Sequence, residues 1–220
     1  MIDLPPQLDQ CAPGVLPVLM HALVRAESAW NPYAIGPDDG QSAVAQPKSL
    51  KDAVKTAQEL LAAGGKFSVG LAQIHASQIT ARGITWEQAF DACQNLNMGQ
   101  VILFEYYDKA RKEGYAGVDA VWAALRGYNS GSVNKEISDK YARKIFTYMR
   151  EHPASGAPGK VIKTTPASTD ARFFQFAETS PINMTDVNIS SVQGAPKAGK
   201  VRQGESADIF QEDDRKNQGF

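Results

Sequence analysis

From Pro13 to about Trp30, the apolar residues Leu16, Leu19, Met20, Leu23 and Ala26 recur at three- and four-residue intervals, the spacing of one helix face. Asn31-Pro32 is expected to end that helix, because the residue before a proline is driven out of the helical region. Gly36-Pro37-Asp38-Asp39-Gly40 reads as a turn. Ser49 caps a second helix with Asp52 three residues on, a capping-box variant, and Gly64-Gly65 stops it. A glycine-containing segment, Phe67 to Ile74, leads into a short helical stretch reaching about Arg82, and Thr85 opens another short piece. Asn95 to Glu113 predicts a long helix carrying Leu96, Val101, Ile102, Leu103, Tyr106 and Tyr107. Val118 to Tyr128 and Ser138 to Arg150 supply two more. No convincing strand pair and no internal repeat emerge, so the expected fold class is mainly α.

After His152 the pattern fails. Pro, Gly, Ala, Ser and Thr dominate from Pro153 onward and apolar residues scatter. The chain therefore divides into a helical domain over residues 1–152 and a tail over 153–220. That tail is expected to be disordered, because it cannot bury enough apolar surface to offset its ordering entropy. Phe173, Phe174 and Phe176 are a local exception, read either as an incidental aromatic cluster or as a short docking motif.

Composition narrows the classes. The 220 residues are 43% hydrophobic and 21% charged, ordinary for a globular protein. Net charge is -1 with no block of like charge, which argues against nucleic acid or an anionic membrane as the main partner. No apolar run approaches the roughly 18 residues that span a bilayer. Gly14 to Val24 is short, broken by Pro17 and lacks a basic lead, so it reads as a core helix and a poor signal peptide. Cys11 and Cys93 leave the compartment open: in a cytosolic chain they would be unrelated core residues, in an exported one a disulfide. Three histidines and two separated cysteines form no ligand spacing, so no metal and no cofactor are expected.

Glu27 is the residue to explain. Seven residues from Met20 and eleven from Leu16, it falls within about 20° of both on the helix wheel. An ionisable carboxyl thus lies on an apolar stripe at a helix end. A desolvated carboxyl has its pKa raised, as a general acid near neutral pH requires. The alternative is a glutamate paired with a core arginine or set at an exposed rim. Three further segments bear on the choice. Gly70-Leu71-Ala72-Gln73-Ile74 puts a glycine where backbone must approach closely and an amide side chain soon after it. Asn95-Leu96-Asn97-Met98-Gly99 opens the long helix, and Gly127-Tyr128-Asn129-Ser130-Gly131 closes a later one. Each alone is a weak signal.

In this order, after Glu27-Ser28 and Asn31-Pro32, these segments make the chain resemble the soluble lytic transglycosylase (SLT) domain over roughly residues 10 to 150. That fold is lysozyme-like, related to goose-type lysozyme. Cys11-Ala12-Pro13, Asn31-Pro32-Tyr33-Ala34-Ile35-Gly36, Phe67-Ser68-Val69-Gly70 and Phe90-Asp91-Ala92-Cys93-Gln94-Asn95-Leu96 are similar to the transglycosylases of type IV secretion and conjugation systems.

The resemblance implies a peptidoglycan-cleaving enzyme with Glu27 as acid and then base, forming a 1,6-anhydromuramic end. Gln73 and Tyr128 match positions that shape the cleft and orient that glutamate. Ser28, Asn95 and Asn129 look like supporting positions, and the Gly70 backbone would line the sugar site. The two cysteines are expected to pair and the protein to be periplasmic. Its partners would be peptidoglycan glycan strands and, through the tail, secretion-channel components. The sequence departs from the family at Ala72, where many relatives carry methionine, and at His75, where many carry asparagine. His75 reads as a polar wall residue rather than a proton carrier.

Two other readings differ in mechanism. Asp38 or Asp39 facing the cleft would make a hydrolytic muramidase, since ordinary glycosidases use two carboxylates; their Pro-Asp-Asp-Gly setting is already explained as a turn. A non-catalytic wall-binding assembly factor is the third reading, and the presence of Glu27, Gln73 and Tyr128 argues against it.

Overall fold

A computed structural model describes residues 8–151. The expected tail, with Phe173, Phe174 and Phe176, lies outside the described residues. Those described divide into two units, residues 8–100 with 145–151, and residues 101–144.

The first unit opens with α1 (Leu8–Cys11) and α2 (Pro17–Ser28). Pro17 stands in the first turn of α2, where its missing N–H costs nothing. Every residue from Val18 to Val24 is buried, so this stretch has no solvent face and behaves as a helix sunk in a core. The His21 ring packs on Trp30, centroids 4.8 Å apart. The helix stops at Ser28, ahead of the expected Asn31-Pro32 break, because Ala29 and Trp30 turn left-handed at φ 49° and 70°. The Asn31 Oδ1 then accepts from the Tyr33 N–H at 3.0 Å, forming a local turn.

A small sheet corrects the expectation that no strands pair. β1 (Ile35–Pro37), β2 (Phe67–Val69) and β3 (Ile74–His75) run antiparallel in the order β1-β2-β3. Ile35 pairs with Val69, Gly36 with Ser68 and Pro37 with Phe67; Ser68 pairs with His75 and Val69 with Ile74. Strands of two or three residues are too short to display alternation, which is why the sequence pattern does not reveal them.

Helices brace this sheet. α3 (Leu50–Ala62) is capped by Ser49, whose Oγ accepts from the Asp52 N–H, and it buries Ala53 and Ala57 one turn apart. It packs on α5 (Trp86–Phe90), which begins with a full capping box between Thr85 and Gln88. The Phe67 and Trp86 rings stack with centroids 5.7 Å apart. α4 (Ala76–Ala81) follows β3 directly. Cys11 and Cys93 form the disulfide that the resemblance implied, joining α1 to the first turn of α6 (Ala92–Lys112). Beside it, the Gly14 N–H donates to Gln100 Oε1 at 2.7 Å.

The second unit holds the rest of α6, α7 (Gly117–Ser130), a 3-10 turn at Glu136–Ser138 and the start of α8 (Asp139–Glu151). Ala120 to Gly127 are all buried. Gly127 is required there: a Cβ on it would lie 2.3 Å from Tyr106 Cδ1. Arg126 is 2% exposed and pairs with Asp139, whose Oδ1 also accepts from Trp122 Nε1 at 2.8 Å. Desolvation would push the Asp139 carboxyl up, but hydrogen bonds from Arg126 and Trp122 hold it below the usual carboxylate range.

Candidate active site

Glu27 occupies the last turn of α2, where the helix leaves the core: Val18 to Val24 are buried and Arg25 to Ser28 are half-buried. Its helix is therefore fixed by packing from Val18 to Val24, while Glu27 itself is half-buried. Arg25, two residues earlier, is engaged elsewhere. Its Nη1 donates to Glu151 Oε2 at 2.7 Å, and its guanidinium lies 3.9 Å from the Tyr148 ring centroid. The Ser28 Oγ donates back to the Val24 carbonyl at 3.2 Å, so this side chain bonds within its own helix.

Gly70, Gln73 and Asn95 are brought together around the turn between β2 and β3. Gly70 adopts φ +79°, and a Cβ there would stand 2.2 Å from Asn95 Nδ2. Asn95 is 0% exposed. Its Oδ1 accepts from the Ala72 N–H at 2.7 Å, and its Nδ2 donates to the carbonyls of Val69 at 3.1 Å and Ala89 at 2.8 Å. One buried amide thus binds the turn to α5 and α6, and glycine at 70 is the condition for its approach. Gln73 is a non-glycine residue at φ +49°. Its Nε2 donates to the Gly70 carbonyl at 2.9 Å and the Ala34 carbonyl at 3.2 Å, folding the side chain against β1. Tyr128 is half-buried and Asn129 exposed, both in the last turn of α7 in the second unit. That helix ends because Gly131 turns left-handed at φ +77° and donates its N–H to the Gly127 carbonyl at 2.7 Å.

The remaining candidates fall beside the sheet. Asp38 and Gln41 do form a turn, the Gln41 N–H donating to the Asp38 carbonyl at 3.0 Å. The Asp38 carboxylate lies 3.3 Å from His75 Nε2, while His75 Nδ1 meets Ser77 Oγ at 2.7 Å and accepts from the Ser77 N–H, capping α4. Asp38 is therefore occupied in fastening the turn to the start of α4, and Asp39 is exposed. Among the described residues, no group of three or more His, Cys, Asp or Glu side chains is placed to hold a metal ion.

Two structural features lie beyond the sequence reading. The Arg126–Asp139 pair links residues thirteen apart, and nothing in helical spacing signals it. Gln46 brackets Ile35 through both backbone groups, accepting from its N–H at 3.0 Å and donating to its carbonyl at 2.8 Å. The only local sign of it is an amide side chain just before Pro47 in a stretch without periodicity.

Comparison with known proteins gives the family. Residues 6–149 match the family model "Transglycosylase SLT domain". "Type IV secretion system protein virB1" of Brucella suis biovar 1 is 36% identical over 204 residues, covering 86% of this chain and 83% of the relative. The protein of the same name from Brucella abortus biovar 1 is 50% identical over 161 residues, 73% of this chain; the match spans 61% of that relative's length. "Protein virB1" of Rhizobium radiobacter is 28% identical over 142 residues, 63% of this chain and 57% of the relative. No solved structure matches the chain.

Proposed function

The chain belongs to the transglycosylase SLT domain family and is a peptidoglycan lytic transglycosylase; from that premise we propose that Glu27 is its single acid and base. The observation that carries this is the place of Glu27: a half-buried residue in the last turn of a helix that is buried from Val18 to Val24. A group so placed is held still and remains reachable, which proton transfer to a bound sugar requires. In the first half of the reaction the Glu27 carboxyl donates its proton to the glycosidic oxygen between N-acetylmuramic acid and N-acetylglucosamine, and the bond from that oxygen to the muramic C1 breaks. In the second, the muramic 6-hydroxyl oxygen bonds to C1 and the Glu27 carboxylate takes its proton. The product is a 1,6-anhydromuramic end. The nucleophile belongs to the substrate, so no second carboxylate is needed, and the engagement of Asp38 with His75 supports the one-carboxylate route over a hydrolytic one.

Gln73 and the Gly70 backbone form one wall of the sugar site, with Asn95 fixing that wall from behind and Ser28 steadying the end of the catalytic helix. Tyr128 and Asn129 are assigned their roles by the family resemblance alone. The enzyme serves a type IV secretion apparatus by opening the wall locally, a reading supported by the virB1 names of its relatives. It works in the periplasm. The disulfide between Cys11 and Cys93 suits an oxidising compartment, and no helix among the described residues is long and apolar enough to cross a membrane. The stretch 153–220 docks on channel components. Deleting it should leave sacculus digestion intact and abolish pull-down of those components; unchanged pull-down removes the docking role.

Digestion of purified sacculi by the protein and its Glu27→Gln form tests the role of Glu27. Loss of a positioned general acid should slow release of soluble fragments by about 10²–10⁴-fold, with the helical circular dichroism unchanged. Release at the wild-type rate would remove Glu27 from the mechanism.

A further inference from the structure

We infer that Gln46 is a positioning residue for the sugar site, acting through β1 on Gln73; the inference rests on the assignment of Gln73 to that site. β1 is an edge strand, and an edge leaves one row of backbone donors and acceptors without a neighbouring strand. At Ile35 the Gln46 amide supplies what that neighbour would: its Oε1 accepts from the Ile35 N–H at 3.0 Å and its Nε2 donates to the Ile35 carbonyl at 2.8 Å. A primary amide offers a donor and an acceptor side by side, the pattern of a peptide group.

Gln73 lies on the opposite side of the segment from Ala34 to Gly36. The Ala34 carbonyl accepts from the Gly70 N–H at 2.9 Å and from Gln73 Nε2 at 3.2 Å. At Gly36, a Cβ would stand 2.5 Å from Gln73 Oε1. Ala34 and Gly36 thus form the bed for one amide while Ile35 between them is gripped by another. Gln73 itself has a left-handed backbone, φ +49°, so the aim of its side chain depends on that bed staying in register. Gln46 is presented from a firm base, since Pro47 behind it is buried. Exposed as it is, Gln46 contributes little to the core, and its contribution is to the placement of β1. Small misplacements at a reacting site are costly in rate, about 100-fold for roughly 1 Å.

The test is a double-mutant cycle on the full chain, measuring kcat and KM on soluble peptidoglycan fragments for wild type, Gln46→Met, Gln73→Ala and the double variant. Gln46→Met should lower kcat about tenfold with KM little changed, and should have less than about a twofold effect when Gln73 is already alanine, because both changes act through one group. Ser49→Ala is the control for plain destabilisation: it removes a helix cap and should lower the melting temperature without lowering kcat. Full turnover in Gln46→Met, or losses that multiply in the double variant, would overturn the inference. Full turnover in Gln73→Ala would overturn the assignment of Gln73 itself, and with it the route from Gln46, while a large Gln73→Ala defect with an unaltered Gln46→Met would overturn the Gln46 role alone. Should Gln46→Met not fold, Gln46→Glu enters the same cycle, since it keeps an acceptor for the Ile35 N–H and loses the donor to the Ile35 carbonyl.

Discussion

Gly70 and Asn95 depend on each other. The glycine permits a left-handed turn at φ +79°, and the space its missing Cβ leaves is filled by the asparagine amide. Asn95 in turn satisfies one N–H and two carbonyls inside the protein, groups that would otherwise be buried without partners at about 1–3 kcal/mol each. Gly70→Ala combines a disfavoured φ with displacement of that amide. It should destabilise the protein by about 3 kcal/mol or more, read as a fall in the denaturation midpoint. Asn95→Asp should be comparably harmful, since it replaces the two donated hydrogen bonds with a buried charge. A Gly70→Ala protein with an unchanged midpoint would mean that the turn relaxes away from Asn95. The sequence exposed the close approach at Gly70 as a requirement, but Asn95 read as a helix opener. Two of its three partners lie 23 and 26 residues back at Ala72 and Val69, a distance over which local spacing carries no information.

The elements were legible in proportion to their length. Helices with apolar residues recurring over several turns, such as α2, α6 and α8, are found within a few residues of their expected limits, the cap at Ser49 stands where the sequence placed it, and the short piece expected to open at Thr85 does so. The three strands escaped notice because none is long enough to alternate. The junction between α7 and α8 is likewise set by a contact rather than a pattern. Arg126 is nearly inaccessible, and its charge is matched by Asp139 at the first position of α8. Asp139→Ala strands a buried guanidinium and should cost about 3–5 kcal/mol. Because the folded protein holds the Asp139 carboxyl low, its contribution to stability is present above the unfolded carboxylate pKa of about 3.9. It is lost as pH falls through the folded value. Thermal melts between pH 7 and pH 3 should therefore decline more steeply for wild type than for Asp139→Asn. Parallel curves would show that the pair contributes no pH-dependent stability.

At the scale of the molecule, one covalent link and one family assignment organise the account. The disulfide closes a loop of 82 residues between α1 and α6, worth up to about 4–5 kcal/mol in chain entropy. It encloses Glu27, Gly70 and Gln73 within a single crosslinked stretch. Replacing both cysteines by serine should lower the melting temperature by several degrees or more, and a reductant should do the same to wild type. No change under either condition would mean that packing alone fixes α1 on α6. Membership of the SLT family supplies the reaction class, while the geometry around Glu27 and the β2–β3 turn supplies the residues proposed to perform it.

The most direct test of that mechanism is the mass of the fragments released from purified sacculi by the protein and by its Glu27→Gln form. Fragments lighter by one water than the hydrolytic products, released by the wild type and not by Glu27→Gln, are the predicted result. Fragments with ordinary reducing ends would contradict it, because water rather than the muramic 6-hydroxyl would then be the nucleophile.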